Sequence, residues 1–240
     1  MVHNVKPVGG RTLLLFVVIL AACLFGCGRS TSSIEGKVVD GKGQPLSGIR
    51  VVAVKTEPLK GHKGSKTRTN SQGSFRLKGL IPNSPYLIHP ESDKWMAKAR
   101  VRVVSGPRRT TGALPHHFVI RFVYLKNGVI RDSLLGLEWV LASGQTMSWL
   151  EAVSHVANLP LAGGRWRLPS LSELRSIYDE SLESHIDTAF GIDRDWVWSS
   201  QVKDDTEAWF FSFENRFEGG HCKEWPLTRG RVLAVRAMKP

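Results

Sequence analysis

The spacing of apolar residues changes twice along this chain. From Ile34 to Val103 it has a period of two. Ile34, Gly36 and Val38 alternate with Glu35 and Lys37, and Ile49–Val54 is a second β-branched run. Phe75, Leu77 and Leu80 recur before Pro82, Tyr86–His89 is a short apolar stretch, and Ala97, Ala99, Val101 and Val103 alternate with Lys98, Arg100 and Arg102. Gly41–Gly43, Pro45–Gly48 and Gln72-Gly73 separate the runs. Successive strand residues face opposite sides of a sheet, so this pattern predicts short, half-buried strands. With no helical stretch among them, residues 34–104 are expected to form a β-sandwich.

Gly106-Pro107, Thr110-Thr111-Gly112 and His116-His117 interrupt the pattern, and residues 105–117 read as an exposed linker. Phe118–Tyr124 then reads as a strand, Asn127-Gly128 as a tight hairpin turn and Val129–Arg131 as the returning strand. Next the period lengthens. Ser148 and Glu151 have capping-box spacing, and Trp149, Ala152, Val153 and Val156 fall on one face of a helix ending near Asn158. A second helix is expected over 170–181. Pro169 holds Leu168 out of helical geometry, Ser170 and Glu173 form another capping box, and Leu171, Leu174, Ile177 and Tyr178 supply the buried face. Strand-like runs return at Trp196–Ser199, Trp209–Phe213 and Arg231–Arg236, which makes residues 118–238 an α+β unit.

The N-terminus has a different pattern. Lys6 and Arg11 precede the apolar run Thr12–Ala22, of secretory-signal length. A membrane-crossing helix needs about 20 apolar residues; the run is shorter and no basic cluster follows it. Leu20-Ala21-Ala22-Cys23 and Leu24-Phe25-Gly26-Cys27 both resemble a bacterial lipobox. Cys27 is the preferred acylation site, with Cys23 the alternative, because cleavage before Cys27 removes Leu24 and Phe25 and leaves a polar mature end. Residues 1–27 are thus expected to be a lipoprotein signal peptide with its lipidation site, and 28–33 a linker. The expected location is the bacterial cell envelope, with the chain held by lipid at the outer membrane or cell surface.

Charge sharpens the division. Residues 28–110 carry 17 Lys and Arg against 5 Asp and Glu, whereas residues 111–240 carry 14 against 16. The basic excess lies in the sandwich. Lys98, Arg100 and Arg102 alternate onto one face, as do Arg76 and Lys78, while Lys60, His62, Lys63, Lys66 and Arg68 lie between them. Two readings compete: a patch for polyanions, namely acidic or sulfated glycan, lipopolysaccharide phosphates or nucleic acid, and a solvated face that keeps edge strands from pairing. Nucleic acid is disfavoured, since no aromatic ladder interleaves the charges and the chain is exported.

Two family resemblances cover most of the chain. Ile34-x-Gly36-x-Val38, Asp40-x-x-Gly43-x-Pro45-Leu46-x-Gly48-Ile49-x-Val51, Thr69-Asn70-x-x-Gly73-x-Phe75-x-Leu77 and Leu80-x-Pro82 resemble the carboxypeptidase regulatory-like domain. That resemblance implies an all-β transthyretin-like sandwich serving as a spacer or accessory module. Asp132…Gly136-Leu137-Glu138-Trp139, Trp149…Glu151-Ala152, Gly164-x-Trp166-Arg167-Leu168-Pro169-Ser170-x-x-Glu173-Leu174, Trp196-Val197-Trp198-Ser199-Ser200, Trp209, Phe211 and Val232…Val235-Arg236 resemble the Lcl C-terminal domain family. The implied fold is α+β and C-type-lectin-like, related to formylglycine-generating enzymes. Trp166, Arg167, Leu168, Pro169, Trp196 and Trp198 carry the structural motif. A surface adhesin of that family binds sulfated glycans, which implies adhesion or carbohydrate binding here. Two cysteines common in the family stand at positions that look like Val156 and Ala234. Cys222 is left unpaired, either a partly buried thiol or an intermolecular link.

No catalytic set stands out, and the expectation is a non-enzyme without cofactor or metal. Cys222 alone cannot supply the copper-binding cysteine pair of the formylglycine-generating relatives. No Cys/His spacing fits zinc and no nucleophile elbow is present. His185 with Asp187, and Asp193, Asp195, Asp204 and Asp205, read as incidental loop residues. Six tryptophans of the last unit read as core. Trp225 and Arg229, in the loop Gly219–Gly230, are the ligand candidates there, beside Lys98, Arg100 and Arg102 in the sandwich. The leading function is a non-catalytic surface binding module for anionic or sulfated glycans. The alternative is a structural envelope lipoprotein that packs against protein partners.

Overall fold

The computed structural model describes residues 31–57, 59, 64–92, 100–193, 195–224 and 228–238. Cys23, Cys27, Lys98 and Trp225 lie outside the described residues, as do Lys60, His62 and Lys63. The chain from Thr31 onward forms one compact unit. It is mostly β, a sandwich followed by a second arrangement of sheets with two short α-helices.

One layer of the sandwich is built on β1 (Ser32–Asp40). β4 (Ser74–Leu80) pairs antiparallel along one side of it. On the other side β7 (Thr111–Ala113) runs parallel to Ser33–Glu35, and β8 (Phe118–Ile120) runs parallel to Val38–Asp40. The second layer has the order β3-β2-β5-β6, from Ser65–Arg68, Arg50–Lys55, Pro85–Glu91 and Val101–Val104. Ile34, Val38, Val51, Leu77, Tyr86, Ile88 and Phe118 fill the space between the layers, each nearly or fully buried.

Two expectations are corrected here. Residues 105–117 are not a free linker. Ser105 is buried, with its hydroxyl bonded to Ile81 O and Ser84 O, and β7 fills an edge of the sheet. Nor is Phe118–Tyr124 one strand of the second unit: Phe118–Ile120 belongs to the sandwich, and the chain changes sheets at Arg121. The sequence hid this because the edge strand Thr111-Gly112-Ala113 lacks any apolar alternation.

Beyond Arg121 the sheet order is β15-β11-β10-β9, all antiparallel, from Leu233–Ala237, Leu137–Leu141, Ile130–Asp132 and Phe122–Tyr124. Both faces of β11 and β15 are buried. Trp139, Leu233 and Val235 join one apolar cluster, while Val140 and Ala234 join another. Hence the unbroken apolar run Val232–Val235, where a half-buried strand would alternate. Helix α1 (Trp149–Ala157) covers one face through Ala152 and Val156. Helix α2 (Leu171–Ser176) covers the other through Leu171 and Leu174. Val153, expected on the buried face of α1, is 39% exposed. A second sheet, β12-β13-β14 (Trp196–Val202, Glu207–Ser212, Phe217–Cys222), feeds both clusters. Val156 and Ala234 are both buried in the α1 cluster.

Helix α2 is half its expected length, for a tertiary reason. Arg121 donates to both oxygens of buried Asp132, at 2.9 and 2.7 Å, and its third nitrogen donates to Ser176 O at 2.6 Å. The guanidinium takes a carbonyl that a further turn of helix would have used. Ser133 ties the same point to the sandwich: its hydroxyl accepts the Gly41 N–H and donates to Arg121 O, each at 2.9 Å. A cavity of about 250 Å³ lies beside Arg121, Tyr178 and Asp187.

Candidate binding surfaces

The Trp166–Pro169 block is a structural knot. Arg167 exchanges two backbone hydrogen bonds with Val235, at 3.0 and 2.8 Å, which pins the block to β15. The Arg167 guanidinium donates to both oxygens of Glu173, at 2.8 and 2.6 Å, and the same carboxylate accepts the Ser170 N–H at 2.7 Å. The capping box and the Arg fork therefore share one carboxylate. Burial pushes the Glu173 pKa up, but hydrogen bonds from Arg167 and Ser170 outweigh it and hold the group below the ordinary carboxylate value.

A second arginine, which the sequence did not single out, is more deeply engaged. Arg236 donates twice to Glu138, at 2.9 and 2.6 Å, and also to Ala162 O and Gly164 O. Its guanidinium lies 4.4 Å from the Trp166 ring centroid. Both members of this cross-strand pair are nearly buried. Arg131 donates to the other Glu138 oxygen at 3.0 Å. Burial pushes Glu138 up, and the hydrogen bonds from Arg236 and Arg131 bring its pKa below the ordinary value.

Trp198 is fully buried and donates to Met147 O at 2.9 Å, whereas Trp196 reaches toward the surface. Trp196 is 4.9 Å from the Phe210 ring and 5.3 Å from His221. His221 stacks on Phe210 at 4.7 Å with the rings 18° apart, and Phe217 completes the group 6.0 Å from Phe210. Phe217 is 55% exposed and His221 is exposed, both on one face of edge strand β14. Glycines make room for the rings. A Cβ on Gly219 would lie 2.8 Å from the rings of Phe210 and Phe217, and one on Gly230 would run into the Trp196 indole. The expected loop begins with a strand, since Phe217–Cys222 pairs with β13. The sequence signal for the group is Phe217, Gly219 and His221 at a period of two, unlike the solvated loop inferred for this stretch.

Arg229 is exposed but tethered within its own unit. It donates to Thr146 O at 3.0 and 3.2 Å and pairs with Glu151 at 3.1 Å. The Ser148 N–H, then other groups including Arg229, hold the Glu151 pKa low. The loop acids have local tasks. Asp195 pairs with Arg231 at 2.8 Å, and Asp204 accepts the Thr206 and Glu207 N–H groups of its turn. Among the described residues no three His, Cys, Asp or Glu converge as a metal site needs. Asp187 accepts the Ala189 N–H at 3.1 Å and faces Tyr124, whose phenol pKa is pushed well up by burial and then by that carboxylate. Cys222 is half-buried and unpaired.

The basic residues of the sandwich divide between its two outer faces. Arg76 and Lys78 stand on β4, with Arg76 paired to Glu35 at 2.8 Å. Arg102, with Arg100 just before its strand, stands on β6 in the other layer, and both are exposed. Register places Arg50, Lys66, Arg68 and Arg102 on one outer face, so the structure joins Arg102 to residues of β2 and β3, not to Arg76.

Family models match both parts of the chain: a carboxypeptidase regulatory-like domain over residues 33–113 and an Lcl C-terminal domain over 128–236. The chain is a carboxypeptidase regulatory-like domain followed by an Lcl C-terminal domain. Among curated proteins none matches it. Among solved structures, the adhesin InvE of Yersinia pseudotuberculosis aligns at 14% identity and a TM-score of 0.34, over 86% of this chain and 60% of its own. A 9R-lipoxygenase from Cyanothece PCC8801 aligns at 10% identity and a TM-score of 0.25, over 80% of this chain and 38% of its own. Neither likeness is close enough to bear on fold or function. In the Lcl C-terminal domain the Trp-Arg-Leu-Pro block is scaffold, and the exposed rings of Phe217 and His221 on β14 are the feature left over. Among the described residues no helix is long and apolar enough to cross a membrane.

Proposed function

We propose that this protein is a non-catalytic binding module of the bacterial envelope, acylated on Cys27, whose Lcl C-terminal domain has a C-type-lectin-like fold and binds an anionic glycan. The observation that carries this reading is the aromatic group of Trp196, Phe210, Phe217 and His221. Folding ordinarily buries large rings, and here Phe217 and His221 stand exposed against buried Phe210 and half-buried Trp196, seated by close-packed glycines, as a contact surface would be. Flat rings offer stacking faces to the apolar side of a sugar. The basic excess of the preceding sandwich supplies longer-range attraction for acidic groups.

The test is a glycan array probed with the unit from Thr31, at low and at physiological salt. All three apolar clusters of that unit are built from residues after Thr31. Acidic glycans are expected to bind, more weakly as salt rises, and Phe217→Ser is expected to reduce the signal at least tenfold with unchanged thermal stability. No signal from any acidic glycan overturns the reading in favour of a protein partner. Mass spectrometry of the mature N-terminus tests the anchor; an unmodified terminus, or acylation on Cys23, overturns the assignment to Cys27.

A further inference from the structure

We infer that the outer face of the β3-β2-β5-β6 sheet is a docking surface for an anionic lipid bilayer. This surface lies on the sandwich and is separate from the aromatic group on β14. Register assigns its residues. Arg50 stands between Arg68 and Glu91, Val52 between Lys66 and His89, Val54 beside Leu87, and Leu87 beside Arg102. Val104 is two residues beyond Arg102, on the same face.

Two features of this face coincide. The first is an excess of positive charge among the described residues. Arg50, Lys66, Arg68 and Arg102 are exposed, and the one described acid that register places on the face, Glu91, is paired with Arg50 at 2.9 Å. Arg68 donates to Gly48 O at 2.7 Å, which holds it beside Arg50 in spite of their like charge. The second is exposed apolar surface at the centre and along the β6 edge. Val104 is 65% and Val54 51% exposed, with Val52 and Leu87 half-buried between the charged strands.

Cations alone would fit any polyanion, but small branched valines between the cations offer no flat ring face for a sugar to stack on. A bilayer carrying anionic lipid offers both partners in one plane, head-group phosphates for the guanidinium and ammonium groups and the acyl boundary for the valines. Strands β3 and β6 are three inter-strand spacings apart, about 14 Å, so the cations of the two edges reach separate lipid head groups. The imidazole of His89 lies within the face, with Nδ1 3.0 Å from Pro90 O.

The test is vesicle flotation with the unit from Thr31, which lacks any acyl chain of its own. Vesicles of phosphatidylcholine with about a third phosphatidylglycerol are compared with pure phosphatidylcholine at low and physiological salt. Binding is expected only to the anionic vesicles, with a loss of roughly fivefold for each of Lys66→Ser and Arg102→Ser. Val54→Asn and Val104→Asn are also expected to weaken it severalfold; both positions are exposed, so thermal unfolding should be unchanged. Were either valine variant to lose stability, the other carries the test alone. Equal binding to neutral vesicles, no binding to either, or binding that ignores the valine changes while soluble heparin displaces the protein completely overturns the inference. Phe217→Ser is expected to leave vesicle binding intact. Glycan binding and membrane docking therefore fail separately.

Discussion

Glu138 holds two arginines and is almost completely buried, so its charge is tolerated only because both oxygens are occupied. Removing one partner of a buried pair leaves the other uncompensated, at a cost of about 3–5 kcal/mol. Glu138→Gln should therefore lower unfolding free energy by that order in a denaturant titration, because Arg236 keeps its charge and loses its counter-ion. The exposed pair Arg76–Glu35 makes the contrast. Arg76→Ala should cost under about 1 kcal/mol. The same carboxylates set an acid limit. Glu138 and Glu173 both have folded-state pKa values below the ordinary 4.5. Their contribution is complete above that value and is lost as pH falls through the depressed folded values. Thermal stability should thus decline below about pH 4.5, and Glu173→Gln should flatten part of that decline.

At the scale of elements, capping and close approach decide where the chain stops and turns. Both α-helices begin in a capping box that was legible from Ser148…Glu151 and Ser170…Glu173. Replacing Ser170 by Ala should cost about 1 kcal/mol, readable in chemical denaturation. The end of α2 is different: its last carbonyl belongs to Arg121, 55 residues earlier in the chain. Around Trp196 the determining feature is a missing side chain. Gly230→Ala would force the Trp196 indole off its seat. We expect a red-shifted, weakened tryptophan emission and loss of glycan binding, with the sandwich still folded.

At the scale of the whole molecule, the sandwich and the Lcl C-terminal domain are joined at Arg121, Asp132 and Ser133. Because β7 and β8 belong to the first layer, cleavage between Val104 and His117 removes strands from the sandwich and cannot release it intact. Limited proteolysis of the native protein should therefore resist cutting there. Arg121→Ala, which frees Asp132 and the end of α2, should sensitise the connection to cutting and lower the unfolding midpoint.

What the sequence determined by itself was local. Apolar alternation located β1, β2, β4, β5 and β6, capping boxes started both helices, and two motif sets predicted the two families in order. The Trp166–Pro169 block was legible as a structural centre, and Arg167 as a hub. The sites were less legible. Arg229 read as a ligand candidate and is engaged by Thr146 and Glu151, His221 read as loop, and Phe217 was not singled out. Only tertiary structure could decide these points, because each depends on a neighbour distant in sequence: Ser176 on Arg121, Gly230 on Trp196, Arg102 on the register of Leu87. Periodicity reports which side of a strand is apolar. It does not report which strand lies next to it, and that adjacency makes one surface of Arg50, Lys66 and Arg102 while leaving Arg76 on the opposite layer.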